Sequence, residues 1–271
     1  MIFKDDNEAI AYLKKHETLS SDFKEMREYS STLKALVNGD DFIDELINKI
    51  EGIESSLKAK ARKKYSRSIK DLFSRLFQPI DNIYYATGGV KEYDIQSDTT
   101  KANYLKQIAN IRDNKTLSEW VQIYAIQLYN TDPNGVIFLE YKTDSKVDVY
   151  PTYKSSDKIR YYEAKGQLVD YIIFEPKVKN QKNYIRIVDD LTDRTFEKNG
   201  NDYVLVDELT FTHPFGQVPA VICSNIQLAG EDEKLAPIDS IIEVAKEYAR
   251  DQSFLTLYKV YKGNPIFWKY V

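Results

Sequence analysis

The chain has 271 residues, 42% of them hydrophobic, and a net charge of −4 with neutral histidines. This length fits one large domain or two smaller ones, and the hydrophobic content excludes a globally disordered chain. The acidic balance argues against a protein that coats nucleic acid through bulk positive charge. Cys223 is the only cysteine, which excludes an internal disulfide and a cysteine-rich zinc site.

The first 130 residues are predicted to be mainly helical. Residues 5–29 have the spacing of short helices, with Ser20 and Ser21 as caps for a second helix that begins near Asp22. Apolar residues recur at helical spacing again from Phe42 to Phe77 and over residues 99–130. No apolar run reaches the roughly 18 residues of a membrane span, and no signal-peptide core is present. We therefore expect a cytosolic chain without membrane contact.

Residues 54–75 form a basic stretch with eight lysines and arginines and only two acidic residues. One interpretation is the solvated face of an ordinary helix. The other is a contact with the phosphates of nucleic acid or with a protein partner. The clustered candidates for that contact are Lys58, Lys60, Arg62, Lys63, Lys64 and Arg67.

Residues 131–230 are predicted to form an antiparallel, meandering sheet. A strong turn at Asp132-Pro133-Asn134-Gly135 precedes short alternating segments joined by polar turns. The strand candidates are residues 136–141, 147–150, 159–163, 169–175, 184–188, 195–198 and 203–206, and the sheet is expected to end near residues 220–224.

A long helix is predicted from Pro237 to Tyr261 within the last part of the chain, residues 231–271. One face of this helix is a candidate subunit interface, formed by Ile238, Ile241, Ile242, Ala245, Tyr248 and Ala249. The chain then ends on an apolar, aromatic segment, which predicts a fragment of a longer protein. The predicted fold class is α+β: N-terminal helices, an antiparallel sheet, then the long helix.

The enzymatic candidates are few. Asp132, Glu140 and Lys142 resemble the set with which metal-dependent nucleases hold magnesium and position a lysine, because residues 140 and 142 share one face of a strand. The simpler interpretation is that Glu140 and Lys142 form an exposed salt bridge and that Asp132 is an ordinary turn residue. This nuclease is the alternative function.

Other polar residues have simpler explanations. His213 and Cys223 could form a base and its nucleophile, but a turn histidine and a small apolar-environment cysteine fit their neighbours, and we predict that Cys223 is buried and unreactive. Asp189 and Asp190 fit a polar turn better than a cation site. No catalytic residue, metal ligand or cofactor is assigned.

Three segments resemble tailed-phage portal proteins, particularly the long portals of phages and prophages of Bacteroidetes-type bacteria. The first runs from residues 63–73 (KKYSRSIKDLF) through 76–82 (LFQPIDN) to 86–89 (ATGG). The second joins the DPNG turn at 132–135 to residues 149–153 (VYPTY). The third is residues 213–219 (HPFGQVP), followed by Ser224-Asn225 and the helix from Ile238.

The resemblance implies a non-enzymatic structural subunit of a ring, usually a dodecamer, in the capsid vertex of a virion assembled in the bacterial cytoplasm. Double-stranded DNA passes through such a ring, which also binds terminase, capsid or scaffold, and head-completion proteins. Residues 1–130 and 131–230 would be the helical and β parts of the portal wing. Residues 231–271 would be the first stem helix and the start of a missing clip region.

Overall fold

A computed structural model of the chain describes residues 1–38, 98–99, 111, 115–142, 148–179, 181–224 and 234–237, and the single residues 239, 244, 247, 251, 255 and 258. The chain divides into two units, Met1–Ser30 with Lys91–Ala236, and Ser31–Val90 with Pro237–Val271. Nearly all described residues belong to the first unit, which contains the sheet.

Helices lie before the sheet in sequence. Helix α1 spans Asp6–Lys15 and α2 spans Ser21–Asn38. The Asp5 side chain caps α1 by accepting a 2.8 Å hydrogen bond from the Glu8 N–H. Three helical segments directly precede the first strand in sequence and follow one another without a break. They are α3 (Leu117–Trp120), a π-helical segment (Val121–Ala125) and α4 (Ile126–Thr131). Thr116 and Glu119 form a capping box at the start of α3.

Ten strands form one antiparallel sheet within the described residues. They are β1 Val136–Lys142, β2 Asp148–Lys154, β3 Ile159–Lys165, β4 Leu168–Phe174, β5 Lys177–Lys179, β6 Lys182–Val188, β7 Thr192–Asn199, β8 Asp202–Leu205, β9 Phe211–Thr212 and β10 Ala220–Ile222.

Pairing of the strands is mostly between neighbours in sequence: β1 with β2, β3 with β4, β5 with β6, β6 with β7, and β7 with β8. Other pairings join strands that are not neighbours in sequence: β4 with β6, β7 with β9, and β10 with both β1 and β4, between which it inserts. Val221 of β10 pairs with Ile137 on one side and with Leu168 on the other. The last strand of the sheet therefore joins its first hairpin to the rest.

Two hydrophobic clusters cover opposite faces of the central strand β4. Ile172 and Phe174 belong to the first cluster, with Phe23 and Met26 of α2. Tyr171 and Ile173 belong to the second cluster, with Leu13 of α1. Because side chains alternate along a strand, β4 is buried on both faces, which explains its nearly continuous apolar sequence.

The α+β class and the antiparallel sheet are thus confirmed. The pairing departs from a simple meander where β10 inserts between β1 and β4, where β4 pairs with β6, and where β9 pairs with β7. The long helix from Pro237 to Tyr261 lies mostly outside the described residues and stays a prediction, as does the division at residues 130 and 230. Of the helices that the structure describes, none is long and apolar enough to cross a membrane.

Candidate functional site

Two of the contact surfaces predicted from the sequence lie outside the residues that the structure describes. The basic residues Lys58, Lys60, Arg62, Lys63, Lys64 and Arg67 lie outside the described residues. So does the predicted interface face of Ile238, Ile241, Ile242, Ala245, Tyr248 and Ala249. The site described below therefore consists of residues of the sheet and of the segments packed on it.

Asp132 lies completely buried at the turn between α4 and β1. Its Oδ2 accepts a 2.9 Å hydrogen bond from the Tyr153 hydroxyl and a 3.0 Å bond from the Ser156 N–H. Gly135 closes the same turn, where an added Cβ would lie 2.8 Å from Cδ1 of Leu128. The turn thus ties β1 to the end of β2, and Asp132 acts there as a hydrogen-bond acceptor.

Asn134, in the same turn, holds a distant part of the chain. Its Nδ2 donates to the carbonyl of Lys234 at 3.0 Å, and its Oδ1 accepts from the Lys234 N–H at 2.7 Å. The two bonds satisfy both backbone groups of Lys234, which is itself buried. Asn134 therefore fixes the segment that follows β10 against the start of β1.

Glu140 on β1 belongs to a half-buried ion network centred on Arg186 of β6. The Arg186 guanidinium donates to both oxygens of Glu140, at 3.1 and 2.9 Å, and to both oxygens of Asp193 on β7. Lys154 of β2 adds an ion pair of 2.5 Å to Glu140. We call Glu140, Lys154, Arg186 and Asp193 the Arg186 network; it joins four strands.

Two aromatic rings flank the Arg186 network. The guanidinium carbon of Arg186 lies 4.9 Å from the ring centroid of Phe138 and 5.3 Å from that of Phe174. These rings pack edge to face with centroids 5.2 Å apart. Such contacts stabilise a cation that has left water. Paired charges and aromatic walls together explain how four ionisable groups are accommodated near the core.

Two carboxylates of this network have pKa values shifted in opposite directions. Burial alone would raise the pKa of Glu140, but Arg186 and Lys154 outweigh it and lower the value to about 2. Burial raises the pKa of Asp193, and the charge of Glu140 adds to that effect against the hydrogen bonds from Arg186. The two pKa values shift in opposite directions because Glu140 is paired with two cations, whereas Asp193 shares one cation and is more deeply buried.

This geometry bears on the nuclease hypothesis. A magnesium ion at Glu140 would have to displace Arg186 and Lys154, and one at Asp132 would compete with the donors Tyr153 and Ser156. Lys142 is described only as a strand residue that pairs with Asp148. Over the described part of the chain, no three His, Cys, Asp or Glu side chains come together as a metal site. Asp132 serves the fold as a hydrogen-bond acceptor and Glu140 as an ion-pair partner.

Asp189 and His213 also have structural partners. Asp189 is completely buried in the β6–β7 turn, where its Oδ1 accepts from the Leu191 and Thr192 N–H groups and its Oδ2 from Phe3 and Arg194. His213 Nε2 donates to the Asp189 carbonyl at 2.8 Å. Burial would raise the pKa of Asp189, but these donors hold it below its ordinary value. Asp189 therefore lies in a polar turn, as the sequence predicts.

Cys223 is half-buried rather than fully buried. Burial, with a smaller effect from the charge of Asp132, raises the pKa of its thiol to about 12. The thiol is therefore protonated at neutral pH, and thiolate is the nucleophilic form. Among the described residues, the two influences on this pKa, burial and the charge of Asp132, both disfavour the thiolate.

We expect Cys223 to react with a thiol reagent about thirtyfold to sixtyfold more slowly than an exposed cysteine. Its pKa rises from 9.0 to about 12, and the higher nucleophilicity of the more basic thiolate offsets about half of the loss in thiolate. The measurement is the labelling rate in native buffer. The matched control is Glu208→Cys in a Cys223→Ala background, because Glu208 is exposed. Equal rates at the two positions would contradict this expectation.

Sequence reasoning missed a cavity of about 270 Å³ between α2 and β3. Its lining includes Asp22 and Phe23 of α2, Tyr161, Tyr162 and Glu163 of β3, and Lys234. These residues come from three segments that are far apart in sequence. No local motif connects them, so their proximity depends on the packing of α2 against the sheet.

Comparison with protein-family models and with curated protein sequences finds no match to this chain.

Proposed function

We propose that this chain is a structural subunit of a tailed-phage portal, the ring at one capsid vertex through which double-stranded DNA is packaged and ejected. The observation that carries the proposal is the resemblance at three segments, residues 63–89, 132–153 and 213–225. The protein would act in the virion after assembly in the bacterial cytoplasm. It would function without turnover, cofactor or metal.

The structural role of the second and third segments supports this proposal. Residues 132–135 form the turn into β1, residues 149–153 lie in β2, and the two are joined by the hydrogen bond from Tyr153 to Asp132. Residues 213–219 connect β9 to β10, and Val218 donates its N–H to Asp190. Motifs that specify turns and strand junctions suit a scaffold protein better than a catalyst.

In this proposal the helices before residue 130 and the sheet form the wing of the portal subunit. The helix predicted from Pro237 would be its first stem helix. Six isolated positions after Pro237, the residues 239, 244, 247, 251, 255 and 258, have helical backbone, which is compatible with that helix. Partners would be eleven further copies of the subunit, terminase, capsid or scaffold, and head-completion proteins.

Charge supports the same proposal. DNA that translocates through a channel must slide, and strong neutralisation of its phosphates would retain it. A net charge of −4 avoids that retention. The basic stretch at 58–67 would then contact a neighbouring subunit, the capsid or DNA.

Replacing Ile242 with aspartate is expected to abolish ring assembly, because the charge would enter an apolar helix face that packs against the neighbouring subunit. The measurement is light scattering on the purified complete gene product that contains this sequence. Glu247→Lys is the control, since at about 100° per residue its side chain lies on the opposite face of the predicted helix. Assembly that survives Ile242→Asp would count against this interface.

A further inference from the structure

Asparagine is followed by glycine at three places in the chain, residues 38–39, 134–135 and 199–200. The structure describes both members of the pair at 134–135 and at 199–200. In such a pair the glycine nitrogen is a good nucleophile towards the asparagine side chain, because no side chain of its own residue shields it. Whether the asparagine amide reacts then depends on how the fold holds the two residues.

The fold fixes the pair at 134–135. Asn134 is 1% exposed, and its side chain donates to the Lys234 carbonyl at 3.0 Å and accepts from the Lys234 N–H at 2.7 Å. The Gly135 N–H donates to the carbonyl of Asp132 at 2.9 Å. The asparagine amide and the glycine nitrogen are therefore both bonded to other groups and buried away from water.

The pair at 199–200 lies at the tip of the β7–β8 hairpin. Asn199 is the last residue of β7 and pairs with Asp202, so Gly200 and Asn201 form a two-residue turn. Asn199 and Gly200 are both exposed. Gly200 has a φ of +63°, with open space where a Cβ would project. A hairpin tip with so few buried contacts opens locally at low cost in free energy.

One contact at the surface restrains the Asn199 amide. Asn199 donates a side-chain hydrogen bond to Glu197, which also binds Lys182 at 2.8 Å. Water replaces an exposed hydrogen-bond partner with little loss of free energy, whereas the bonds of Asn134 are buried. The Asn199 amide can therefore turn towards the Gly200 nitrogen, and the Asn134 amide is held away from Gly135.

We propose that Asn199 is a site of spontaneous deamidation and that the fold protects Asn134 from the same reaction. The Gly200 nitrogen attacks Cγ of Asn199 and forms a C–N bond. The Cγ–Nδ2 bond breaks, and ammonia leaves with the proton of the Gly200 N–H. Water then opens the resulting succinimide at either carbonyl, which gives aspartate or isoaspartate.

The reaction changes the hairpin in two ways. Either product adds a negative charge to a tip that already contains Glu197 and Asp202. Isoaspartate also lengthens the main chain of the turn by one carbon, which moves residue 199 out of register with Asp202. The site goes beyond the proposed function and does not depend on it.

The test is incubation of the whole chain in mildly alkaline buffer, followed by peptide mapping with fragmentation mass spectrometry. We expect Asn199 to deamidate at least about thirtyfold faster than Asn134, because Asn134 must first lose two buried hydrogen bonds. In guanidinium chloride the two sites are expected to react at similar rates, since both are then unfolded Asn-Gly pairs.

Two controls accompany the test. Asn201 is exposed in the same turn but is followed by Asp202, whose side chain hinders the nitrogen, so it should react more slowly than Asn199. Asn199→Gln should abolish modification at this position, because a glutamine would have to form a larger ring. The proposal would be overturned if Asn199 stayed intact in the native chain while it reacted in the unfolded chain. Equal native rates at Asn134 and Asn199, or a difference that persists after unfolding, would overturn it as well.

Discussion

Replacing Arg186 with methionine is expected to lower the free energy of unfolding by about 3–5 kcal/mol. The substitution removes the cation that both Glu140 and Asp193 bond. It leaves the buried Asp193 and the half-buried Glu140 with only Lys154 as a counter-charge. Methionine keeps much of the apolar length of the side chain, so most of the loss comes from the charge. Urea denaturation of the wild type and the variant measures the difference.

The matched control is Lys182→Met, which removes an ion pair of 2.8 Å to Glu197 on the neighbouring strand. The Lys182 side chain is 54% exposed, and exposed pairs contribute about 0–1 kcal/mol. Similar losses for Arg186→Met and Lys182→Met would contradict the structural role that we assign to the Arg186 network.

Acid gives a second readout for the same variant. The pKa of Glu140 falls from 4.5 when unfolded to about 2 in the fold. Its contribution to stability is therefore complete above pH 4.5 and is lost as the pH falls towards 2. The difference in unfolding free energy between wild type and Arg186→Met should shrink over this interval, because protonated Glu140 no longer needs the guanidinium.

Replacing Asp189 with alanine is expected to cost about 3 kcal/mol or more. The change removes the acceptor of three backbone N–H groups, those of Phe3, Leu191 and Thr192, and leaves Arg194 without its most buried partner. These donors would stay buried and unpaired, and the β6–β7 turn would loosen from the N-terminal segment. Thermal or urea unfolding measures the loss.

Hydrogen exchange at Leu191 and Thr192 reports the same change locally, and we expect it to accelerate in Asp189→Ala. Asp202→Ala is the control, because Asp202 is exposed at the β7–β8 turn. If Asp189→Ala costs no more than Asp202→Ala, the described hydrogen bonds do not hold this turn.

Local patterns in the sequence were enough to locate most of the sheet. The segments 136–141 and 169–175 were recognised from β-branched and aromatic residues between turn signals, and they match β1 and β4 within one residue at each end. Strands β5 and β9 have three and two residues. Segments that short carry no period, so the sequence does not reveal them.

Long-range contacts were beyond sequence reasoning. The sequence predicts that the sheet ends near residues 220–224. The position of β10 between β1 and β4, however, depends on the pairing of Val221 with Ile137, 84 positions away. Arg186, between the buried Ile185 and Ile187, looks like an ordinary outward residue of an alternating strand. Its ion pairs are with Glu140 and Asp193, which only the folded sheet brings to it. The cavity beside α2 was missed for the same reason.

The most direct test of the proposed portal function is negative-stain electron microscopy of the complete gene product that contains this sequence. The account predicts rings with a central channel wide enough for double-stranded DNA. A dispersed monomer at micromolar concentration would contradict it. In that case magnesium-dependent cleavage of DNA by the same preparation would favour the nuclease alternative at Asp132, Glu140 and Lys142.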